Sequence, residues 1–156
     1  KVGIEGLPQR VRDIMPEMDL TSVPHRKRFE DTIRGFQHGG GIDAAQMSRM
    51  YEAQTLWDEY MAETASTYLK KAGGRMVLLA GNGHVQGRDG IPDRFERRSG
   101  LKPFTVVPVN VDWTPEGLPD IDNPPGKSFA DWVYFTQYEI GPPQRGAGSG
   151  QAQTSG

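Results

Sequence analysis

Residues 75–98 read RMVLLAGNGHVQGRDGIPDRFERR, and the change of character inside that stretch decides the fold. Met76-Val77-Leu78-Leu79-Ala80 is an unbroken apolar run with no alternation, the pattern of a strand covered on both faces in a parallel sheet. It predicts the central strand. Gly81-Asn82-Gly83-His84 follows at once, then a polar loop through Gly87 and Gly90. Ile91-Pro92-Asp93 opens a short helix that runs to Arg98 and is closed by Gly100. A second strand from Phe104 to Val109 completes a strand, loop, helix, strand unit whose crossover is expected to be right-handed.

Ahead of this unit, Asp43 caps a helix of about eight turns to Lys71. Its apolar stripe is Met47, Met50, Tyr51, Trp57, Met61, Ala65 and Tyr68, which by default is core. Lys70 and Lys71 sit where the helix dipole favours cations, and Gly73-Gly74 ends the run. Further upstream, LPQRVRDIMPEM over 7–18 predicts a short helix stopped by Pro16. Ser22 caps a helix over residues 25–36 with Phe29, Ile33 and Phe36 on one stripe. Downstream, residues 114–127 are too rich in proline and glycine for regular structure, and residues 130–136 predict a last strand. The fold class is therefore α/β: a mostly parallel sheet with flanking helices and one long helix before the central strand. Residues 1–140 form the domain, and 141–156, GPPQRGAGSGQAQTSG when read from Gly141, form a flexible tail.

Composition narrows the function classes. Apolar residues make up 35% of the 156, so the core is lean, and 20 glycines with 12 prolines imply much turn and loop. Eighteen basic against 20 acidic side chains leave a net charge of −2, which gives no electrostatic reason to bind nucleic acid. With no cysteine, disulfides and thiolate metal sites are excluded, and any metal falls to His, Tyr, carboxylate or Met. The signatures GxSxG, HExxH and CxxC are absent from the sequence.

The chemistry points to the end of the apolar run. In an open parallel sheet, ligands bind outside the carboxyl ends of strands. There Gly81 and Gly83 let the backbone turn and approach a ligand, and His84 presents an imidazole able to bind metal or move a proton. An isolated motif of this kind more often makes a tight turn with a histidine satisfying a loop carbonyl, and Gln86 stands where a dinucleotide fingerprint needs its third glycine. On the long helix, Glu52, Glu59 and Glu63 read as a solvated row, whereas Gln54 and Asp58 beside Trp57 and Met61 suggest a buried hydrogen-bonding strip. His25 and His38 read as surface histidines, so His84 is the candidate among the three.

Two segments together, YEAQTLWDEYMA at 51–62 and RMVLLAGNGHVQGRDGIPDRFERR at 75–98, resemble the ChaN-like haem-binding family, which is related to the Tiki and TraB proteins. The resemblance covers residues 1–136 in order. It implies an α/β domain that binds haem at its strand ends and pairs two haems across a homodimer. Carried over, the family's histidine is His84, flanked by Gly81 and Gly83, and the helix motif supplies Gln54, Trp57, Asp58 and Met61. Tyr51 is the choice for the axial tyrosine, which makes His84 and Tyr51 the metal ligands. A complete member would carry further strands and a Gly-Glu-x-His-like motif upstream of these residues, and this sequence has none. The expectation is then the C-terminal portion of a longer domain, or a member that keeps the fold as an interaction surface.

Three functions follow from that resemblance: non-catalytic haem binding for haem and iron handling; an accessory or structural subunit of a larger complex, in a plastid membrane setting; and a metal-dependent hydrolase like the Tiki relatives. The implied partners are haem and a homodimeric or larger assembly. The implied compartments are the chloroplast, at thylakoid or envelope, or the bacterial periplasm as an outer-membrane lipoprotein.

Overall fold

The computed structural model describes residues 2–35, 41–110 and 129–136. Asp43 starts the dominant element as its sequence predicts: its side chain accepts from the Gln46 N–H at 2.7 Å, and helix α3 (Ala44–Ala72) runs from there for about 44 Å. Gly73 ends it at φ +67°, a conformation that costs a side-chain-bearing residue energy. Helix α3 buries Met47, Tyr51, Thr55, Asp58, Glu59, Ala62, Ala65 and Ser66, a 3.6-residue stripe with acidic residues in its middle. Trp57 and Tyr68, expected in the core, are exposed instead because they lie off that stripe.

Four shorter α-helices accompany α3 among the described residues. Helix α1 (Gln9–Arg12) is a single turn preceded by a 3-10 turn at Ile4–Gly6, shorter than the 7–18 helix expected, and none of its residues is buried to hold it. Helix α2 (Val23–Gly35) matches its expectation as far as Gly35, while Phe36 and His38 lie outside the described residues. Helix α4 (Asn82–Val85) is one turn over the glycine-histidine motif, and α5 (Ile91–Ser99) closes on Gly100 at φ +74°, as predicted. Ala62 and Ala65 let α5 approach α3 closely, so Ile91 and Phe95 pack on them with Met61, Leu69, Met76 and Ala80 around the cluster.

The sheet corrects one expectation. Strands β1 (Val106–Asn110) and β2 (Trp132–Thr136) pair in parallel, Val106 opposite Trp132 and Asn110 opposite Thr136. The α/β fold with a long helix before its strands stands. Residues 76–80, however, take part in no strand pairing among the described residues. Met76 and Ala80 pack on the core cluster, while Val77 and Leu79 are 87% and 92% exposed. A strand exists through ladder hydrogen bonds, and no described segment lies beside this run to supply them. It is thus covered on one side only.

Residues 111–128 and 137–156, which include the proline-rich segment and the tail, lie outside the described residues. Among the described residues, no helix is long and apolar enough to cross a membrane.

Candidate functional site

Asp58 is the centre of the site. It is 0% exposed on the inner stripe of α3, and an imidazole faces each of its two oxygens. His84 Nδ1 lies 2.5 Å from Oδ1, and His25 Nε2 lies 3.0 Å from Oδ2 in an ion-pair contact bent away from hydrogen-bond alignment. Burial alone would push the Asp58 carboxyl up, but the facing imidazoles of His25 and His84 prevail and hold it below the usual carboxylate range. An ionised carboxylate only accepts. The proton between Asp58 and His84 is therefore on Nδ1, and Nε2 is the ring nitrogen not committed to the carboxylate.

Nothing among the described residues engages that Nε2. The His84 side chain is 20% exposed, and its ring is stacked on Trp57 at 6.5 Å between centroids and 10° between planes. The Gln54 amide nitrogen sits 2.9 Å from Nδ1, beside the ring but with no lone pair to donate to while the Nδ1 proton is turned to Asp58. Trp57 in turn borders an apolar hollow of about 290 Å³ with Leu56, Tyr60 and Met61. Tyr60 and Met61 continue into an open groove of about 500 Å³ lined by Tyr68 and residues 76–79. Of the strip anticipated from the helix motif, Gln54, Asp58 and Trp57 meet at His84, while Met61 lines the neighbouring hollow and packs on the core cluster.

The glycines act differently from expectation. Neither Gly81 nor Gly83 takes a positive φ, and the segment is a helical turn rather than a hinge. A side chain at Gly81 would begin 3.7 Å from His84 Cδ2, so its absence leaves the ring accessible, while Gly83 faces open space. Gly90 carries the steric constraint: a Cβ there would overlap the backbone carbonyl of His84. Gly87, at φ +72°, holds the loop by donating to the Phe129 carbonyl at 2.7 Å. Arg88, the one described non-glycine with positive φ, is held by hydrogen bonds to Asp131, Thr105 and the Pro103 carbonyl.

Tyr51 is placed apart from the outward face. Its ring is buried, its hydroxyl lies 3.2 Å from His25 Nδ1 and 3.4 Å from the Ser22 carbonyl, and burial pushes the phenol up. Enclosed under α2, its hydroxyl faces His25 and the Ser22 carbonyl rather than His84.

The sequence reading missed His25 and Glu59. His25, expected at the surface, is 1% exposed, and burial holds its imidazole below its ordinary value against the opposing pull of Asp58. A usable signal was present, since His25 is four residues before Phe29 on the inward stripe of α2. Glu59, expected in solvent, is 0% exposed and gathers Arg94 Nε at 3.1 Å, Arg97 Nη2 at 2.8 and 2.9 Å, and Arg98 Nη2 at 2.6 Å. The Asp19 backbone N–H also donates to it at 3.0 Å.

The family model described as haem-binding uptake, Tiki superfamily, ChaN matches residues 1–95, a span that takes in His25, Asp58, His84 and Arg94. No curated protein and no solved structure matches the chain.

Proposed function

The chain belongs to the ChaN family of haem-binding uptake proteins in the Tiki superfamily, and on that footing we propose that it binds haem, without catalysis, through His84 Nε2 for haem and iron handling. The observation that carries the reading is the 2.5 Å contact of His84 Nδ1 with buried Asp58, which commits the proton to one nitrogen and leaves the other as a donor to a metal. Metal-binding histidines characteristically give their second N–H to a carboxylate, which fixes the tautomer and raises the basicity of the ligating nitrogen. Imidazole is an accepted axial ligand of haem iron, and the wall of Trp57, Tyr60 and Met61 has the apolar, aromatic character of a site for a flat macrocycle.

Among the described residues, no group of three or more His, Asp or Glu side chains is arranged to hold a bare metal ion. A porphyrin brings its own equatorial donors, so a single outward imidazole is a fitting contribution from the protein. Bound haem would supply an iron centre open to axial ligation. The chain's own residues orient the imidazole, hold its Nδ1 proton and shield one face.

Titrating the haem-free protein with hemin is expected to produce a shifted Soret band, and His84→Ala is expected to weaken binding at least tenfold. Equal binding by both proteins removes His84 from the role, and no spectral change in the wild type removes the function.

The exposed apolar side chains of Val77, Leu79, Trp132 and Tyr134 favour a second reading, in which the fold serves as a subunit of a homodimer or larger assembly in a plastid or bacterial envelope. Light scattering that returns a monomer at high protein concentration, with no partner recovered by crosslinking, would count against it.

A further inference from the structure

We infer that His25 is a positioning residue for His84, the middle link of a chain of fixed proton positions that starts at Arg94 and ends at the outward nitrogen of His84. The inference rests on the haem reading only for what that nitrogen binds; the chain itself is a property of the haem-free protein.

The chain is built from groups with no freedom in what they donate or accept. A guanidinium only donates, and Arg94 Nη2 lies 3.4 Å from His25 Nδ1. Arg94 is itself immobile: 3% exposed, it faces buried Glu59 through Nε and donates through Nη1 to the carbonyls of Asp89 at 2.5 Å and Gly90 at 3.1 Å. His25 Nδ1 is therefore the acceptor on that ring. Because the ring is neutral, its proton is on Nε2, facing Asp58 Oδ2 at 3.0 Å. With Oδ2 faced by His25, Oδ1 is the oxygen left for His84. Both ends of the carboxylate then face an imidazole, so the plane of Asp58, and with it the direction of the His84 ring, is set in part from helix α2.

Other groups around His25 reinforce this. Tyr51 packs against it at 5.3 Å between ring centroids, and its hydroxyl, 3.2 Å from the same Nδ1 and 3.4 Å from the Ser22 carbonyl, has one proton to give between the two, which goes to Nδ1 when that nitrogen is the acceptor. Arg28 is engaged by Asp89 rather than by Asp58, which leaves the two imidazoles as the groups in direct polar contact with the Asp58 oxygens. Without His25, Asp58 Oδ2 would lose the one polar group that faces it, at 3.0 Å. The carboxylate would then turn toward His84 with either oxygen, and the tautomer and direction of His84 would no longer be unique.

The test compares His25→Leu, which removes the donor, with His25→Gln, which restores an N–H at similar reach. The first readout is the ¹⁵N chemical shifts of the His84 ring in the haem-free protein, which separate the Nδ1–H from the Nε2–H tautomer. The second is hemin affinity. Wild type is expected to show the Nδ1–H form alone, His25→Leu a mixture with hemin affinity lowered about tenfold, and His25→Gln a return toward wild type on both, in keeping with the usual 10–100-fold cost of losing an outer-shell partner. If His25→Leu does not fold, His25→Asn, too short to reach Asp58, takes its place.

A folded variant without the donor that keeps a single Nδ1–H form overturns the inference. If the tautomer moves as expected but no variant, wild type included, binds hemin, the positioning chain stands and the haem reading falls.

Discussion

Asp58 and Glu59 are consecutive carboxylates on one helix, both fully buried, and the molecule treats them in opposite ways. Glu59 is met by three guanidiniums from α5 and by a backbone N–H, so more positive charge faces it than it carries. Asp58 is met by two imidazoles, one of them held neutral by its burial. A carboxylate surrounded by cations is a structural tie whose charge is cancelled locally. A carboxylate faced by imidazoles instead fixes a ring proton, and the His84 ring keeps a second nitrogen that no described residue engages. The difference of one residue along the helix separates a tie between α3 and α5 from the support of a binding group.

The sharpest way to break the comparison is Glu59→Ala. It strands three arginines, one of them almost fully buried, and is expected to cost about 3–5 kcal/mol in urea denaturation, the range for removing one partner of a buried pair. Asp58→Asn comes next: an amide cannot accept from both imidazoles with two oxygens, and hemin affinity measured by absorbance is expected to drop by 10–100-fold.

Acidification probes the Asp58 side of the comparison without a mutation at either carboxylate. Burial holds the folded-state value of His25 below its usual 6.5, so on acidification the unfolded chain takes up the proton first. The contribution of His25 to stability is whole above about pH 6.5 and falls as the pH drops toward its folded-state value. The depressed carboxylates Asp19, Asp58 and Asp131 act in a lower window, below their usual 3.8. The thermal midpoint is therefore expected to decline from pH 7 to pH 5, and His25→Gln to flatten that decline; an equal slope in both proteins would assign it elsewhere. The smallest expected effect is Arg97→Ala, about 1 kcal/mol or less, because this arginine is the most exposed of the three and Arg94 and Arg98 remain on Glu59.

What could be read beforehand followed how local its physics is. The long helix was legible from Asp43 to Gly73 because capping chemistry and the 3.6-residue period are written within a turn of where they act. The same holds for α5, and for the grouping of Gln54, Asp58 and Trp57 around His84. Residues 76–80 were misjudged because an apolar run reports what a segment could bury, not whether a neighbour is there to pair with it. Glu59 was misjudged because its three arginines are 35 to 39 positions away, on a helix whose docking no local pattern announces. His25 was within reach of a periodicity argument that extended the inward stripe of α2 back by one turn. Tyr51 shared a sequence motif with Trp57 but not a face of the helix, and the motif does not show that difference.

Gly90 gives the site a form of brittleness that no polar contact reveals. Where the turn bearing His84 abuts the start of α5, the space for a methyl group is already taken by a carbonyl oxygen. In a saturation library screened for pigment retention, position 83 should tolerate nearly every replacement, while position 90 should return glycine and little else. An alanine there would act as a wedge, displacing the imidazole without touching it.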